Sequence, residues 1–134
     1  MIDIDFCRIS RALAKLKLPV FNLVVGIAEG GVVPASLLAN KLKCDLEIIR
    51  INYRNEDNSI RHKDPAIFKK TKLSGDRKNI LIVDDVSVSG KTMDAARELF
   101  NGHSVKTLVF KGKADFVLFP EIDSCVNWPW KYEK

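Results

Sequence analysis

Two adjacent carboxylates, three hydroxyls, a glycine and a lysine stand together in ILIVDDVSVSGKT (80–92). ILIV has the composition of a strand buried on both faces. It delivers Asp84 and Asp85 to the carboxyl edge of a sheet, where open α/β sheets bind ligands. A short Ser- and Gly-rich turn then opens a helix near 91–100. The free N–H groups of that helix, with Lys91 and the hydroxyls of Ser87, Ser89 and Thr92, make an anion site. Gly90-Lys91-Thr92 invites comparison with the GxxxxGK[ST] loop of nucleotide triphosphatases, but that loop needs a glycine at position 85. Asp85 stands there, and a carboxylate repels a phosphate. The acids instead suit a sugar diol or a magnesium ion, and the turn beyond them suits one phosphate. A ribose bearing a 5-phosphate has that layout.

The elements that must position these groups follow from periodicity. Phe6, Ile9, Leu13 and Leu16 fall at helical spacing before Pro19, which predicts a helix over 5–17. FNLVVGI (21–27) reads as a buried strand broken by Gly30 and Gly31. A helix over 32–42 follows, with Pro34 tolerated in its first turn. LEIIRINY (46–53) is the next strand. Residues 54–79 are polar and charged apart from a weak apolar island at 66–68, the composition of a functional lid or a disordered segment. ILIV (80–83), VKTLVF (105–110) and DFVLF (115–119) are further strands, and CVNWPWKYEK (125–134) is an aromatic, irregular tail. The alternation predicts an α/β fold with a mostly parallel central sheet and helices on both faces. No repeat or linker divides the chain, so residues 1–134 read as a single domain.

Composition bounds the classes that remain. With 134 residues and 46% hydrophobic content, a soluble globular domain with its own core is expected. No apolar run reaches membrane-spanning length, and the acidic N-terminus, with Asp3 and Asp5, lacks the order of a signal peptide. Cys7, Cys44 and Cys125 are odd in number and without CxxC spacing, which predicts reduced thiols in a cytoplasmic protein. The net charge of +5 points to an anionic partner, either a polyanionic small molecule or nucleic acid. Its basic clusters near 61–63, 69–72 and 111–113 carry no helix-turn-helix or RNA-binding signature.

VDDVSVSGKT (83–92) resembles the phosphoribosyl pyrophosphate signature of the type I phosphoribosyltransferases: apolar residues, two acids, then a small-residue turn. VVGIAEGGVVPASLLANKL (24–42) is similar to the loop with which that family cradles pyrophosphate. Within the family, the chain looks nearest to the xanthine-guanine and hypoxanthine-guanine enzymes. The resemblance implies transfer of a 5-phosphoribosyl group to a nitrogenous base, a purine, with release of pyrophosphate, as in nucleotide salvage. It implies Asp84 and Asp85 as catalytic residues on the ribose hydroxyls and as magnesium ligands. Asp84, Asp85, Val86, Ser87, Val88, Ser89, Gly90, Lys91 and Thr92 then bind phosphoribosyl pyrophosphate. Ala28, Glu29, Gly30 and Gly31 hold the pyrophosphate, and Lys111, Cys125 and Val126 meet the base. NYRNEDN (52–58) is similar to the start of a catalytic lid over about 54–79, and residues 112–134 to a small C-terminal hood. A homodimer is likewise implied.

Three positions depart from the pattern. The 6-oxopurine enzymes carry an aspartate where this chain has Val88, which neither transfers a proton nor accepts a hydrogen bond. Glu29 precedes the two glycines, where a carboxylate opposes a diphosphate unless it points outward or meets a cation. The position that stacks on the base is Cys125 or Val126, with Trp128 and Trp130 either substituting or packing as a tail. These departures keep a second reading open: a non-catalytic phosphoribosyl pyrophosphate or nucleotide sensor on the same fold, for which nucleic acid is a partner.

Overall fold

The computed structural model describes residues 1–52, 66–67 and 78–131. Along the chain run β1 (Ile2–Asp3), α1 (Phe6–Lys15), β2 (Leu23–Ala28), α2 (Val32–Leu42), β3 (Asp45–Asn52), β4 (Ala66–Ile67), β5 (Asn79–Ser87), α3 (Lys91–Leu99), β6 (Ser104–Gly112), β7 (Phe116–Val117) and β8 (Val126–Asn127). Six strands form the central sheet in the order β4-β3-β2-β5-β6-β7. All its pairings are parallel except β3 with β4, which is antiparallel. β1 and β8 form a separate parallel pair.

The apolar runs explain why these segments are central. β2 and β5 are buried on both faces, with Val24, Val25, Ile80, Leu81, Ile82 and Val83 at 0% exposure. Ile9 and Leu13 of α1 and Ala35 and Leu38 of α2 pack with Leu81, Val83 and Phe110 against one face. Met93 and Ala96 of α3 pack with Ile80, Ile82 and Val25 against the other. This is the expected arrangement of a mostly parallel sheet with helices on both sides. Asp5 caps α1, its side chain accepting the Arg8 N–H at 2.8 Å. Leu16 then turns extended and ends α1 before the predicted limit at 17.

Two boundaries shift where they matter. The strand predicted at 80–83 continues to Ser87, because β5 pairs with β6 as far as Val86 with Lys111 and Ser87 with Gly112. Asp84 and Asp85 therefore lie inside a strand, and Lys111, expected just beyond one, lies inside β6. The lid expected over 54–79 falls outside the described residues except for β4 and residues 78–79. Within 112–131, β7 joins the central sheet and β8 pairs with the N-terminal strand; residues 132–134 are outside the described residues.

Cys7, Cys44 and Cys125 are unpaired, Cys7 and Cys125 exposed and Cys44 half-buried. Burial, then the neighbouring Asp45 charge, pushes the Cys44 thiol up. No helix among the described residues is long and apolar enough to cross a membrane.

Candidate active site

The strand order reverses between β2 and β5: from β2 the chain winds outward to β3, and from β5 it winds the other way to β6 and β7. Such a switch point opens a crevice at the carboxyl ends of the two strands. β2 ends at Ala28 and leads into Glu29, Gly30 and Gly31; β5 ends with 84–87. The two segments singled out in the sequence thus meet at one sheet edge. They touch closely, since a Cβ built on Gly30 falls 2.5 Å from Asp85 Oδ1 and 2.8 Å from its Oδ2. Gly31 accepts the turn as the residue before α2, its N–H donating to Ile27 O at 2.7 Å.

Beyond the acids, Val88, Ser89 and Gly90 make the turn. Gly90 takes a left-handed conformation (φ 83°) that L side chains rarely adopt, so glycine is the fitting residue at this N-cap. α3 follows at once, and its N-terminus faces a pocket of about 120 Å³ lined by Asp84, Val86, Ser87, Val88, Ser89, Gly90, Thr92 and Met93. Ser89 Oγ accepts the Lys91 N–H at 3.3 Å. Hydroxyls and a helix N-terminus around so small a volume suit a single phosphate.

The acids are tightly organised. Asp84 Oδ1 accepts the Asp85 N–H at 2.8 Å, and Asp85 Oδ1 accepts the Val86 N–H at 2.8 Å. Lys131 Nζ lies 3.2 Å from Asp85 Oδ2. Burial, then the adjoining Asp85 carboxyl as hydrogen-bond partner and like charge, pushes Asp84 up to about 8. Glu29, the residue of opposing charge in the turn, points outward: it is 81% exposed and pairs with Arg50 of β3 at 3.2 Å.

The remaining candidates lie on β6 and in the aromatic tail. Lys111 is half-buried, opposite Val86 in the ladder. Cys125 is exposed, and its carbonyl accepts the Ile2 N–H at 2.9 Å. Val126 packs against the core cluster under α1 and α2. Trp128 is 1% exposed and belongs to that core, so it packs as a tail. It stacks on Trp130 with centroids 5.3 Å apart, and both rings meet Phe110 edge-on.

Sequence reasoning missed Lys131 and Arg50. Each is a lone basic residue with no motif around it, and each reaches its carboxylate only through the fold.

The comparisons with known proteins agree with this fold. Residues 11–126 match the profile of the family described as phosphoribosyl transferase domain. A xanthine-guanine phosphoribosyltransferase of Gluconobacter oxydans is 35% identical over 81 residues, 59% of this chain and 47% of that protein. One from Cereibacter sphaeroides is 30% identical over 117 residues, 82% of this chain and 69% of that protein. The match thus spans about half of the first relative and about two-thirds of the second. Among solved structures, a purine phosphoribosyltransferase from Pyrococcus horikoshii superimposes with a TM-score of 0.80 at 22% identity, covering 100% of this chain and 97% of that one. The xanthine-guanine-hypoxanthine enzyme of Helicobacter pylori gives 0.77 at 13% identity, covering 96% and 92%. These likenesses show the fold.

Proposed function

We propose that this chain, which belongs to the phosphoribosyl transferase domain family, transfers the 5-phosphoribosyl group of phosphoribosyl pyrophosphate to a nitrogen of a purine base. The observation that carries the reading is the acid pair at the switch point, with the Gly30 turn against one carboxylate and the phosphate-sized pocket beside the other. In the reaction a bond forms between the base nitrogen and the ribose anomeric carbon, the bond from that carbon to pyrophosphate breaks, and the base gives up its proton.

Each group then has a task of positioning or charge handling. Asp84 and Asp85 accept hydrogen bonds from the ribose hydroxyls. Ser87, Ser89, Gly90, Lys91 and Thr92, with the N-terminus of α3, hold the 5-phosphate, while Val86 and Val88 shape its pocket. The backbone of Ala28, Glu29, Gly30 and Gly31 approaches the pyrophosphate, with the Glu29 charge drawn off by Arg50. Lys111 meets the 6-oxo group of the base. Cys125 and Val126 border the base on the strength of the resemblance. Residues 1–134 act as one domain, with residues 112–134 as a small hood. A homodimer and a cytoplasmic location belong to the same proposal.

The donor set fits magnesium. Two carboxylates offer the hard oxygen ligands that ion takes, and it keeps several waters. No cluster of three or more His, Cys, Asp or Glu residues suited to a metal exists among the described residues, so the remaining ligands would come from water and substrate. Held by Asp84 and Asp85, magnesium would neutralise the charge of the departing pyrophosphate. Val88 offers no proton acceptor, so in this chain the base proton passes to an acceptor other than residue 88.

The relatives' names support the enzyme over the sensor reading. The test is pyrophosphate release from phosphoribosyl pyrophosphate and magnesium in the presence of xanthine, guanine, hypoxanthine or adenine in turn. Release with one purine is expected. Binding of phosphoribosyl pyrophosphate without release by any base would overturn transfer in favour of the sensor.

A further inference from the structure

The acid pair already holds a cation of the chain's own. Asp85 Oδ1 is occupied by the Val86 N–H, Asp84 Oδ1 by the Asp85 N–H, and Asp85 Oδ2 by Lys131 Nζ at 3.2 Å. A divalent ion reaching Asp85 must therefore contend with an ammonium group at the oxygen it would use.

The placement of Lys131 is built rather than incidental. Its N–H donates to Trp128 O at 3.1 Å, closing a turn. Trp128 is buried and lies parallel to Trp130, within 4°. Trp130 in turn meets Phe110 of β6 at 5.9 Å, and β6 is paired residue by residue with the strand that carries the acids. The backbone is thus anchored while the side chain stays 52% exposed, against 12% for Asp85. Such a head group leaves for solvent or for a stronger anion without disturbing the core. Lys131 is the half-exposed member of the pair and Asp85 the nearly buried one, so departure of the ammonium group leaves a buried carboxylate that calls for another cation.

We propose that Lys131 is a positioning residue that governs cation entry. Lys131 holds Asp85 Oδ2, so a divalent cation binds the free protein poorly. The cation enters together with the polyanionic substrate, whose phosphate oxygens take over the ammonium group. The proposal rests on the phosphoribosyltransferase reading for the identity of the polyanion.

The test is Mn2+ binding to the free full chain, followed by electron paramagnetic resonance of the unbound ion. The proteins compared are the wild type, Lys131→Met, Lys131→Arg and the double variant Lys131→Met/Asp85→Asn. Lys131→Met is expected to bind Mn2+ at least about tenfold more tightly than the wild type, because a like charge has left the ion's own position. Lys131→Arg should bind as weakly as the wild type, and the double variant should lose the gain. Equal binding by Lys131→Met and the wild type, no binding by Lys131→Met, or a gain that survives in the double variant would each overturn the proposal. Titration of the same proteins with phosphoribosyl pyrophosphate separates the two readings: its failure in all of them removes the transferase function and leaves the cation comparison standing.

Discussion

Gly30 and Asp85 are in such close apposition that a single methyl group on Gly30 would fall 2.5 Å from Asp85 Oδ1. The turn after β2 and the acids of β5 are therefore one site, assembled across the switch point of the sheet.

Gly30→Ala should consequently damage binding more than folding. The added carbon meets the end of a side chain rather than backbone, so Asp85 yields and loses its orientation. Affinity for phosphoribosyl pyrophosphate is expected to fall at least about tenfold, or ~1.4 kcal/mol, while the thermal midpoint moves little. Calorimetric titration alongside thermal unfolding checks both halves.

Val88→Asp should be tolerated by the fold, because Val88 is 80% exposed at the rim of the phosphate pocket. Its effect on stability is expected within about 0.5 kcal/mol. On the proposed transferase reading it places a proton acceptor beside the base, so kcat/KM for 6-oxopurines should rise by at least about tenfold, a modest share of what general acid–base catalysis contributes. Steady-state assays with hypoxanthine and guanine measure it.

Much of this site is legible in the sequence because it is local. Strand, acids, turn and helix N-terminus follow one another in 80–92, and Gly30-Gly31 interrupts an apolar run in the same way. What is hidden is whatever depends on distant pairing. β1, β4 and β8 are two-residue strands, too short for any period to register, and β1 finds β8 only when the two ends of the chain meet. The extension of β5 to Ser87 comes from its ladder with β6 and not from its own composition, which turns polar at Asp84. Lys131 and Arg50 carry no local signal, since a basic residue in a tail or a strand is ordinarily solvated. Glu29, a discordant residue in the sequence, becomes intelligible once Arg50 is seen beside it.

Asp115 carries a pH dependence unrelated to ligand binding. Burial pushes its carboxyl up, but the Thr107 N–H at 2.9 Å and the Arg97 guanidinium at 2.6 Å prevail and hold it below its ordinary 3.8. A folded value below the unfolded one adds stability in full above the unfolded value, and that contribution disappears as pH falls through the folded value. Asp115→Asn should therefore be less stable than the wild type at pH 7, with the difference closing below pH 3.8. Urea unfolding at stepwise lower pH tests the trend; a gap that widens on acidification would contradict it.

Trp128→Ala should destabilise the whole molecule. The side chain is 1% exposed and meets Phe110, Phe119 and Trp130. Its removal leaves a large cavity, with a loss of about 3–5 kcal/mol expected. Denaturant titration gives the value directly.

The central claim is that residues 84–92 form a phosphoribosyl pyrophosphate site, and the direct measurement is calorimetric titration of that ligand, with magnesium, into the wild type and Asp85→Asn. Saturable binding by the wild type, weakened at least about tenfold in a folded Asp85→Asn protein, is the predicted result. No binding by the wild type, or equal binding by both proteins, would contradict it.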